Sequence, residues 1–364
     1  MKKERACILV VLIAGIGDLV LASKSLRALR NGFPEANIHL LTSSAAFPIA
    51  KNYTYIDKVW AFPIRELRKS SYKILQVLRL IKQLRKYRFS TIINLYRVTS
   101  VWGALKMGLL FLLLKGKKKV GHGYKGFGLF LSDKADEHIF QGRHFADAME
   151  EIAQLAGGIP DSNGIEVFWG KGAEEKCRQL FSNTGRSEKI ILGVNPGGDR
   201  MSRRWNPDYY ATVANRLKKR FHAKIVLLGG PSEDKIAPQI QGKIDGEVLN
   251  LAGQLTLNEL VYVISQCDLL LTNDSGPMHI AAALKIPLVA IFGPESPVLF
   301  GPHTSEDLYR IVFKEVDCRP CTKRKCSEPK CLDLVTPQEV FEKCVEIIES
   351  RGLGMRRKNR KPSK

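Results

Sequence analysis

The chain has 364 residues, 45% of them hydrophobic and 26% charged, and this composition excludes a disordered or collagen-like chain and a small disulfide scaffold. At about 150 residues per domain, the length predicts two domains. The 57 basic residues outnumber the 36 acidic ones, which gives a formal net charge of +21.

The N-terminal half begins with a buried strand and a glycine turn. The apolar run at residues 6–13 has strand length and stops at Gly15–Asp18, so we interpret it as a parallel strand rather than a signal peptide. A helix over residues 19–31 follows. Further strands are predicted at residues 37–41, 59–62 and 90–94, and helices at residues 71–88 and 101–114.

The segment 101–114 is apolar, but Lys106 interrupts it and it is shorter than the roughly 20 residues that span a bilayer. We interpret it as a packed or interfacial helix. Together with the absence of a convincing signal peptide, this predicts a cytoplasmic protein, peripheral to a membrane.

The second half repeats the alternation of strands and helices. Strands are predicted at residues 189–194, 224–228, 269–272 and 288–292, and helices at residues 208–220, 257–266 and 278–284. This pattern predicts an α/β protein with two doubly wound, Rossmann-like domains that face each other across a cleft. Ligands in such folds bind beyond the carboxyl ends of the strands, where every glycine-rich turn of this chain lies. The predicted domains are 1–170 and 171–348, with a basic, disordered tail at 349–364.

The positive charge is concentrated in two segments. Residues 58–125 contain 17 basic residues and one acid, Glu66, and residues 351–364 contain seven basic residues and no acid. The remainder of the chain is close to neutral. Such asymmetry indicates a polyanionic partner, either nucleic acid or an anionic membrane surface, or else a solvated helix face with a disordered end.

The turn after the first strand is the first candidate site. Gly15 and Gly17 allow close approach of a ligand to the backbone, and the helix that begins there attracts anions. Asp18 is interpreted as a general base at the mouth of the cleft or, alternatively, as a helix N-cap.

The stretch 272–279 is the most informative, because a buried strand runs into a polar turn and then an alanine-rich helix. Asp274, Ser275 and Gly276 lie at the start of that helix, where the amides of Ser275, Gly276 and Met278 are expected to face a phosphate. Asp274 or Ser275 could instead cap the helix, and His279 could be a packed core histidine.

Two further groups follow glycine turns of the second half. Three arginines, Arg200, Arg203 and Arg204, lie after the turn at residues 195–198, where guanidinium groups suit a diphosphate, although a solvated loop is the alternative. Glu233 follows the turn at residues 229–231 and could accept hydrogen bonds from ribose hydroxyls, or be a solvated loop acid.

Four of the eight cysteines are clustered, namely Cys318, Cys321, Cys326 and Cys331. In a reducing compartment such a cluster indicates a structural zinc site, although the spacing is not that of paired CxxC motifs.

These motifs together resemble glycosyltransferase family nine, the ADP-heptose:lipopolysaccharide heptosyltransferases. The resemblance extends from about residue 6 to residue 347 and rests on the turn at Gly15–Asp18 and the segments 203–207, 228–233, 251–254, 272–283 and 288–294. The cysteine cluster is similar to that of a subset of the family.

The resemblance implies a GT-B fold and an inverting, metal-independent transfer of heptose from ADP-heptose to the inner core of lipopolysaccharide, on lipid A–Kdo or a heptosylated acceptor. It assigns the role of base to Asp18, diphosphate contacts to Asp274, Ser275 and Gly276 with His279 following, and a ribose contact to Glu233. Arg203 matches a basic position at which family members often have lysine. No cofactor is implied for catalysis.

Two other functions remain as alternatives. Charge alone favours a nucleic-acid-binding protein, but no nucleic-acid-binding module is recognisable, so we expect no nucleic-acid partner. A nucleotide-sugar epimerase, or another nucleotide-sugar transferase, could use the same two-domain fold. The acceptor and an anionic inner-membrane surface are the partners that would account for the basic segment.

Overall fold

The computed structural model describes residues 5–64, 74–136, 138–182, 190–233, 235–321 and 323–353. The chain divides into two compact units, Met1–Phe168 and Trp169–Lys364. Residues 71–73 of the predicted helix 71–88 and residues 354–364 of the predicted tail lie outside the described residues.

The first unit is an alternation of strands and helices around one sheet. Its elements are β1 (Cys7–Leu12), α1 (Ile16–Leu21), α2 (Ser23–Gly32), β2 (Asn37–Ser43), α3 (Phe47–Ala50), β3 (Lys58–Phe62), α4 (Ile74–Leu84), β4 (Thr91–Asn94), α5 (Val101–Leu114), β5 (Lys118–His122), β6 (Asp133–Ala135) and α6 (Phe145–Leu155). The sheet is parallel in the order β3-β2-β1-β4-β5-β6.

The second unit repeats this plan. Its elements are α7 (Ala173–Ser182), β7 (Ile191–Asn195), α8 (Pro207–Phe221), β8 (Lys224–Leu227), α9 (Ile236–Gln241), β9 (Val248–Asn250), α10 (Leu257–Ser265), β10 (Leu269–Asn273), α11 (Gly276–Ala283), β11 (Leu288–Phe292), α12 (Pro297–Phe300), β12 (Tyr309–Phe313), α13 (Lys330–Asp333) and α14 (Pro337–Ser350). Its parallel sheet has the order β12-β11-β10-β7-β8-β9, the same winding as the first.

Both sheets confirm the predicted doubly wound α/β class. In each, the chain starts in a central strand, winds outward to one edge and then returns to the other side of that strand, so a switch point lies between β1 and β4 and between β7 and β10. Ligands of such folds bind beside the carboxyl ends of the strands at this point. The central strands are apolar on both faces because helices cover both faces of each sheet.

The predicted helix over residues 19–31 starts earlier than expected and is divided in two. It begins at Ile16, directly after Gly15, and breaks at Ala22 between α1 and α2. The Ser23 hydroxyl donates to the Val20 carbonyl at 2.7 Å, a side-chain contact that competes with regular helical hydrogen bonding and favours a bend.

Only part of the apolar surface of α4 is buried. Ile81 and Leu84 are buried in the core of the first unit, whereas Ile74 and Leu78 are each 54% exposed. Among the described residues, no helix combines the length and the hydropathy of a membrane-spanning segment.

Candidate active site

The turn between β1 and α1 holds Asp18 against the start of its own helix. The backbone amide of Gly15, the N-cap residue of α1, donates to Asp18 Oδ2 at 3.0 Å. A carboxylate in the first turn also interacts favourably with the helix dipole. The N-cap of α1 is Gly15, so the interpretation of Asp18 as the N-cap residue is wrong, and its half-buried carboxylate lies three residues later in the first turn.

The corresponding turn of the second unit lies between β10 and α11. Ser275 is the N-cap of α11 but does not cap it through its side chain; its hydroxyl donates instead to the Asn273 carbonyl at 3.2 Å. The expectation for the Met278 amide is wrong, because that amide donates to the Ser275 carbonyl at 3.1 Å. The amides of Ser275 and Gly276 precede the helical hydrogen bonds and remain the candidates for a phosphate.

Asn273 fixes this turn against the turn that follows β7. Its Nδ2 donates to the carbonyls of Pro196 at 2.7 Å and Gly197 at 3.1 Å, and its Oδ1 accepts from the Trp205 amide at 3.1 Å. The Tyr210 hydroxyl donates to the same oxygen at 2.8 Å. All four hydrogen-bonding positions of this buried amide are therefore used to join the two turns that flank the switch point.

Arg203, in the loop after β7, contacts residues in the turns that follow β10 and β11. Its Nη1 lies 3.1 Å from Asp274 Oδ2, and its Nη2 lies 2.5 Å from Glu295 Oε1, which Arg200 Nη1 also contacts at 3.3 Å. Asp274 is only 2% exposed, whereas the Arg203 side chain is 21% exposed. The guanidinium is thus held by carboxylates on one side and stays partly open to solvent.

Glu233 is more enclosed than expected of a loop acid. It is 5% exposed, accepts from the Gly230 amide at 2.8 Å and pairs with Arg204 Nη2 at 3.1 Å. Arg204 also donates twice to the Gly198 carbonyl, at 2.8 and 2.9 Å. Glu233 therefore positions the glycine turns after β7 and β8. His279 is buried on α11, one turn beyond its N-cap.

The cysteine segment packs against the Arg203 turn. The Ser202 hydroxyl donates to the Lys323 carbonyl at 2.7 Å, and the Cys321 amide donates to the Pro294 carbonyl at 3.0 Å. Burial raises the pKa of the Cys331 thiol, and negative charge at Cys318 and Cys326 adds to this effect. Within the described part of the chain, no three of the four sulfurs lie within 4.8 Å of one another, so they form no closed ligand set.

Two residues of this network were not predicted from the sequence as members of the site: Asn273 and Glu295. Glu295 follows Gly293 and Pro294 at the end of β11, and this position after a buried strand is the same signal that identified Asp274. The role of Asn273 depends on partners far away in the chain, and no local pattern marks it.

Known proteins resemble this chain in sequence. The sequence model of glycosyltransferase family 9 (heptosyltransferase) matches residues 77–332. The lipooligosaccharide heptosyltransferase 2 of Campylobacter jejuni is 27% identical over 346 residues, which cover 93% of this chain and 97% of the relative. The lipopolysaccharide heptosyltransferase 2 of Salmonella typhimurium is 25% identical, with coverage of 95% and 99%.

Solved structures share the fold. A glycosyl transferase family 9 structure from Veillonella parvula superposes with a TM-score of 0.78 at 20% identity and covers 96% of this chain and 99% of its own. The ADP-heptose lps heptosyltransferase II of E. coli gives a TM-score of 0.72 at 22% identity, with coverage of 95% and 99%.

Proposed function

The chain belongs to glycosyltransferase family 9, the heptosyltransferases, and we propose that it transfers heptose from ADP-heptose to the inner core of lipopolysaccharide, with inversion at the anomeric carbon. The acceptor is lipid A–Kdo or an already heptosylated core. The observation that carries the proposal is that both sheets place helix-start turns with chemically suitable side chains at their switch points, Asp18 in one and Asp274–Gly276 with Arg203 in the other.

In the first unit, Asp18 has the chemistry of the base. A sugar hydroxyl is a weak nucleophile, so a carboxylate must take its proton as the new glycosidic bond forms. The hydrogen bond from the Gly15 amide to Oδ2 fixes the carboxylate at the start of α1, beside the glycine turn. The two glycines allow the acceptor to approach the backbone beside it.

In the second unit, the turns around β7 and β10 have the chemistry of a diphosphate site. Negative charge grows on ADP as it leaves, and the amides at the start of α11 together with the guanidinium of Arg203 would stabilise that charge. With these donors in place, the proposal requires no metal for catalysis. Glu233 is proposed to contact the ribose from the neighbouring turn.

The experiment that tests this function is mass spectrometry of products formed by the purified protein with ADP-heptose and a panel of truncated core acceptors. We expect addition of one heptose, together with release of ADP. Conversion of ADP-heptose to an isomer without acceptor would indicate an epimerase instead, and transfer from a different nucleotide sugar would change the donor.

We also propose that the protein works in the cytoplasm, against the anionic inner-membrane surface where a lipid-linked acceptor resides. Support comes from α5, whose Val101, Trp102, Leu105, Leu109 and Leu112 are between 57% and 75% exposed while its other face is buried in the core. An exposed apolar helix face within a basic segment is a surface suited to an anionic membrane interface.

A structural zinc at Cys318, Cys321, Cys326 and Cys331 is a separate proposal. It rests on four thiols within 14 residues and on the influence of Cys318 and Cys326 on Cys331. Binding would have to draw the sulfurs closer together than they lie here. Elemental analysis of protein purified under reducing conditions tests it, and a lack of stoichiometric zinc would leave these residues as ordinary thiols.

A further inference from the structure

A third group of side chains lies at the switch point of the first sheet, beside the turn that carries Asp18. Strand β4 ends at Asn94 and pairs with β1, and the Leu95 amide donates to the Val11 carbonyl at 3.1 Å. Arg97 follows three residues after the end of β4. Because parallel strands end at one edge, Arg97 and Asp18 follow neighbouring strand ends on the ligand-binding edge of this sheet.

The guanidinium of Arg97 is enclosed by aromatic rings. Its central carbon lies 4.9 Å from the ring centre of Tyr124 and 5.2 Å from that of Phe140. Nη2 contacts the Tyr124 hydroxyl at 3.2 Å. The planar face of the cation is therefore held by π contacts, which orient it without using its other hydrogen-bond donors.

The donors of Arg97 are only partly used. Nε is shielded from solvent and has no hydrogen-bond partner, and no carboxylate in the described ranges forms an ion pair with this guanidinium. Arg27 and Arg203, which are also partly buried, each contact two carboxylates. A partly buried cation without a carboxylate partner is unfavourable for the fold, so Arg97 is arranged as a binding group rather than as a stabilising one.

The neighbouring histidine supports the loop that carries Arg97. Burial lowers the pKa of His122, and the positive charge of Arg97 lowers it further. Its Nε2 lies 3.0 Å from the Tyr96 carbonyl and 3.3 Å from the Val98 amide, on both sides of Arg97. Lys125 provides a second cation, 5.6 Å from the Tyr124 ring centre.

We propose that Arg97 binds an oxyanion of the acceptor, a carboxylate or a phosphate, through its terminal nitrogens Nη1 and Nη2. This inference rests on the proposed function, since it assumes an anionic sugar acceptor that presents its hydroxyl to Asp18. A guanidinium forms a two-point contact with a carboxylate or with a phosphate, so the geometry predicts that an oxyanion binds. The panel of modified acceptors shows which of the two groups Arg97 binds.

The test compares Arg97→Gln with the wild-type chain, with Arg97→Lys as a charge-retaining variant and Arg5→Gln as the matched control. Arg5 is exposed and precedes β1, at the opposite edge of the same sheet. Initial rates are measured with an intact acceptor, with one lacking the lipid A phosphates, and with one whose Kdo carboxylates are reduced. Equilibrium binding of each acceptor without ADP-heptose gives a readout that does not depend on turnover.

We expect Arg97→Gln to raise the acceptor KM and the acceptor Kd about tenfold or more, as the loss of a charged hydrogen-bonded contact does. The KM for ADP-heptose and the melting temperature stay near wild type, Arg97→Lys recovers part of the affinity, and Arg5→Gln has no effect. Wild type and Arg97→Gln should have equal KM and Kd values for the one modified acceptor that lacks the recognised group. That acceptor shows whether the group is a phosphate or a carboxylate.

Unchanged acceptor affinity in Arg97→Gln would overturn the assignment, and so would a rise confined to the KM for ADP-heptose. A wild-type protein that binds the acceptor but transfers no heptose would contradict the proposed function. The role of Arg97 would then still be decided by the binding constants alone.

Discussion

Asp18 combines a structural task with a chemical one. Its carboxylate accepts the Gly15 amide at the start of α1, and this hydrogen bond fixes the side chain beside the glycine turn. An asparagine can accept the same hydrogen bond but cannot take a proton from a hydroxyl. The two tasks of Asp18 are therefore separable by substitution.

We predict that Asp18→Asn lowers kcat for heptose transfer by at least about 100-fold, the usual range for loss of a general base, with little change in stability. Asp18→Ala should lose activity similarly and also lose about 1 kcal/mol of unfolding free energy, because the capping contact disappears. Activity assays, urea unfolding and ADP-heptose binding check these outcomes. An Asp18→Asn enzyme with near-normal kcat would remove Asp18 from the mechanism.

For single residues, the sequence was sufficient where the expected role of a residue depends only on the turn in which it lies. Asp18, Ser275 and Gly276 follow buried strands, and this local signal is visible in one dimension. The partners of Arg203 are not visible in this way, because Asp274 and Glu295 lie 71 and 92 positions further along the chain. Asn273 and Arg97 were missed for the same reason.

At the scale of elements, the central strands were predictable and several outer ones were not. β1, β7, β10 and β11 are apolar runs, because both faces of a central parallel strand are buried. β6 and β9 have three residues each and form sheet edges, and β5 begins with two lysines, so none of the three has a clear apolar signal.

Helix α2 is anchored by one arginine to the chain segment 161–166. Arg27 contacts Asp161 through Nε at 2.7 Å and Nη2 at 2.8 Å, and its Nη1 lies 2.7 Å from Glu166 Oε1. The same Nη2 donates to the carbonyls of Asn163 and Gly164, at 2.8 and 3.0 Å. These hydrogen bonds from Arg27 hold the pKa of Asp161 well below its ordinary value of 3.8.

We predict that Arg27→Met lowers the unfolding free energy at pH 7 by about 2 kcal/mol, since charged hydrogen bonds are lost at a mostly buried site. A carboxyl with a lowered pKa stabilises the fold fully above its ordinary value, and this contribution is lost as the pH falls toward the lowered one. The difference between wild type and variant should therefore narrow by about 1 kcal/mol at pH 3.

Urea unfolding at the two pH values measures this difference, with Arg143→Met as the control. Arg143 pairs with Glu151, but both side chains are 41% or more exposed, so its loss should cost less than about 0.5 kcal/mol at either pH. An Arg27→Met difference that is the same at both pH values would show that Asp161 is not the titrating partner.

For the whole molecule, charge and exposed apolar surface occur in the same part of the chain. The segment 58–125 contains 17 basic residues and one acid, and it includes α4 and α5. Three residues of α4 are more than half exposed, namely Ile74, Leu75 and Leu78. Leu129, just beyond this segment, is 88% exposed. The positive charge alone would attract a nucleic acid. An anionic bilayer would be attracted by the charge and would also accommodate the exposed apolar side chains in its interface.

We therefore predict that the protein binds vesicles of phosphatidylethanolamine and phosphatidylglycerol, and that binding weakens as salt is raised. The double variant Trp102→Ser/Leu109→Ser should bind about tenfold or more weakly, because two large side chains can no longer enter the bilayer interface. Val298→Ser is the control, since Val298 is 62% exposed but lies on α12 of the second unit, and it should bind as wild type does.

Vesicle co-sedimentation measures the affinities, with phosphatidylcholine vesicles to separate the charge effect and a labelled RNA as competitor. Equal binding by the double variant and wild type would exclude α5 as the docking surface, and tight RNA binding without vesicle binding would assign the positive charge to a nucleic-acid partner.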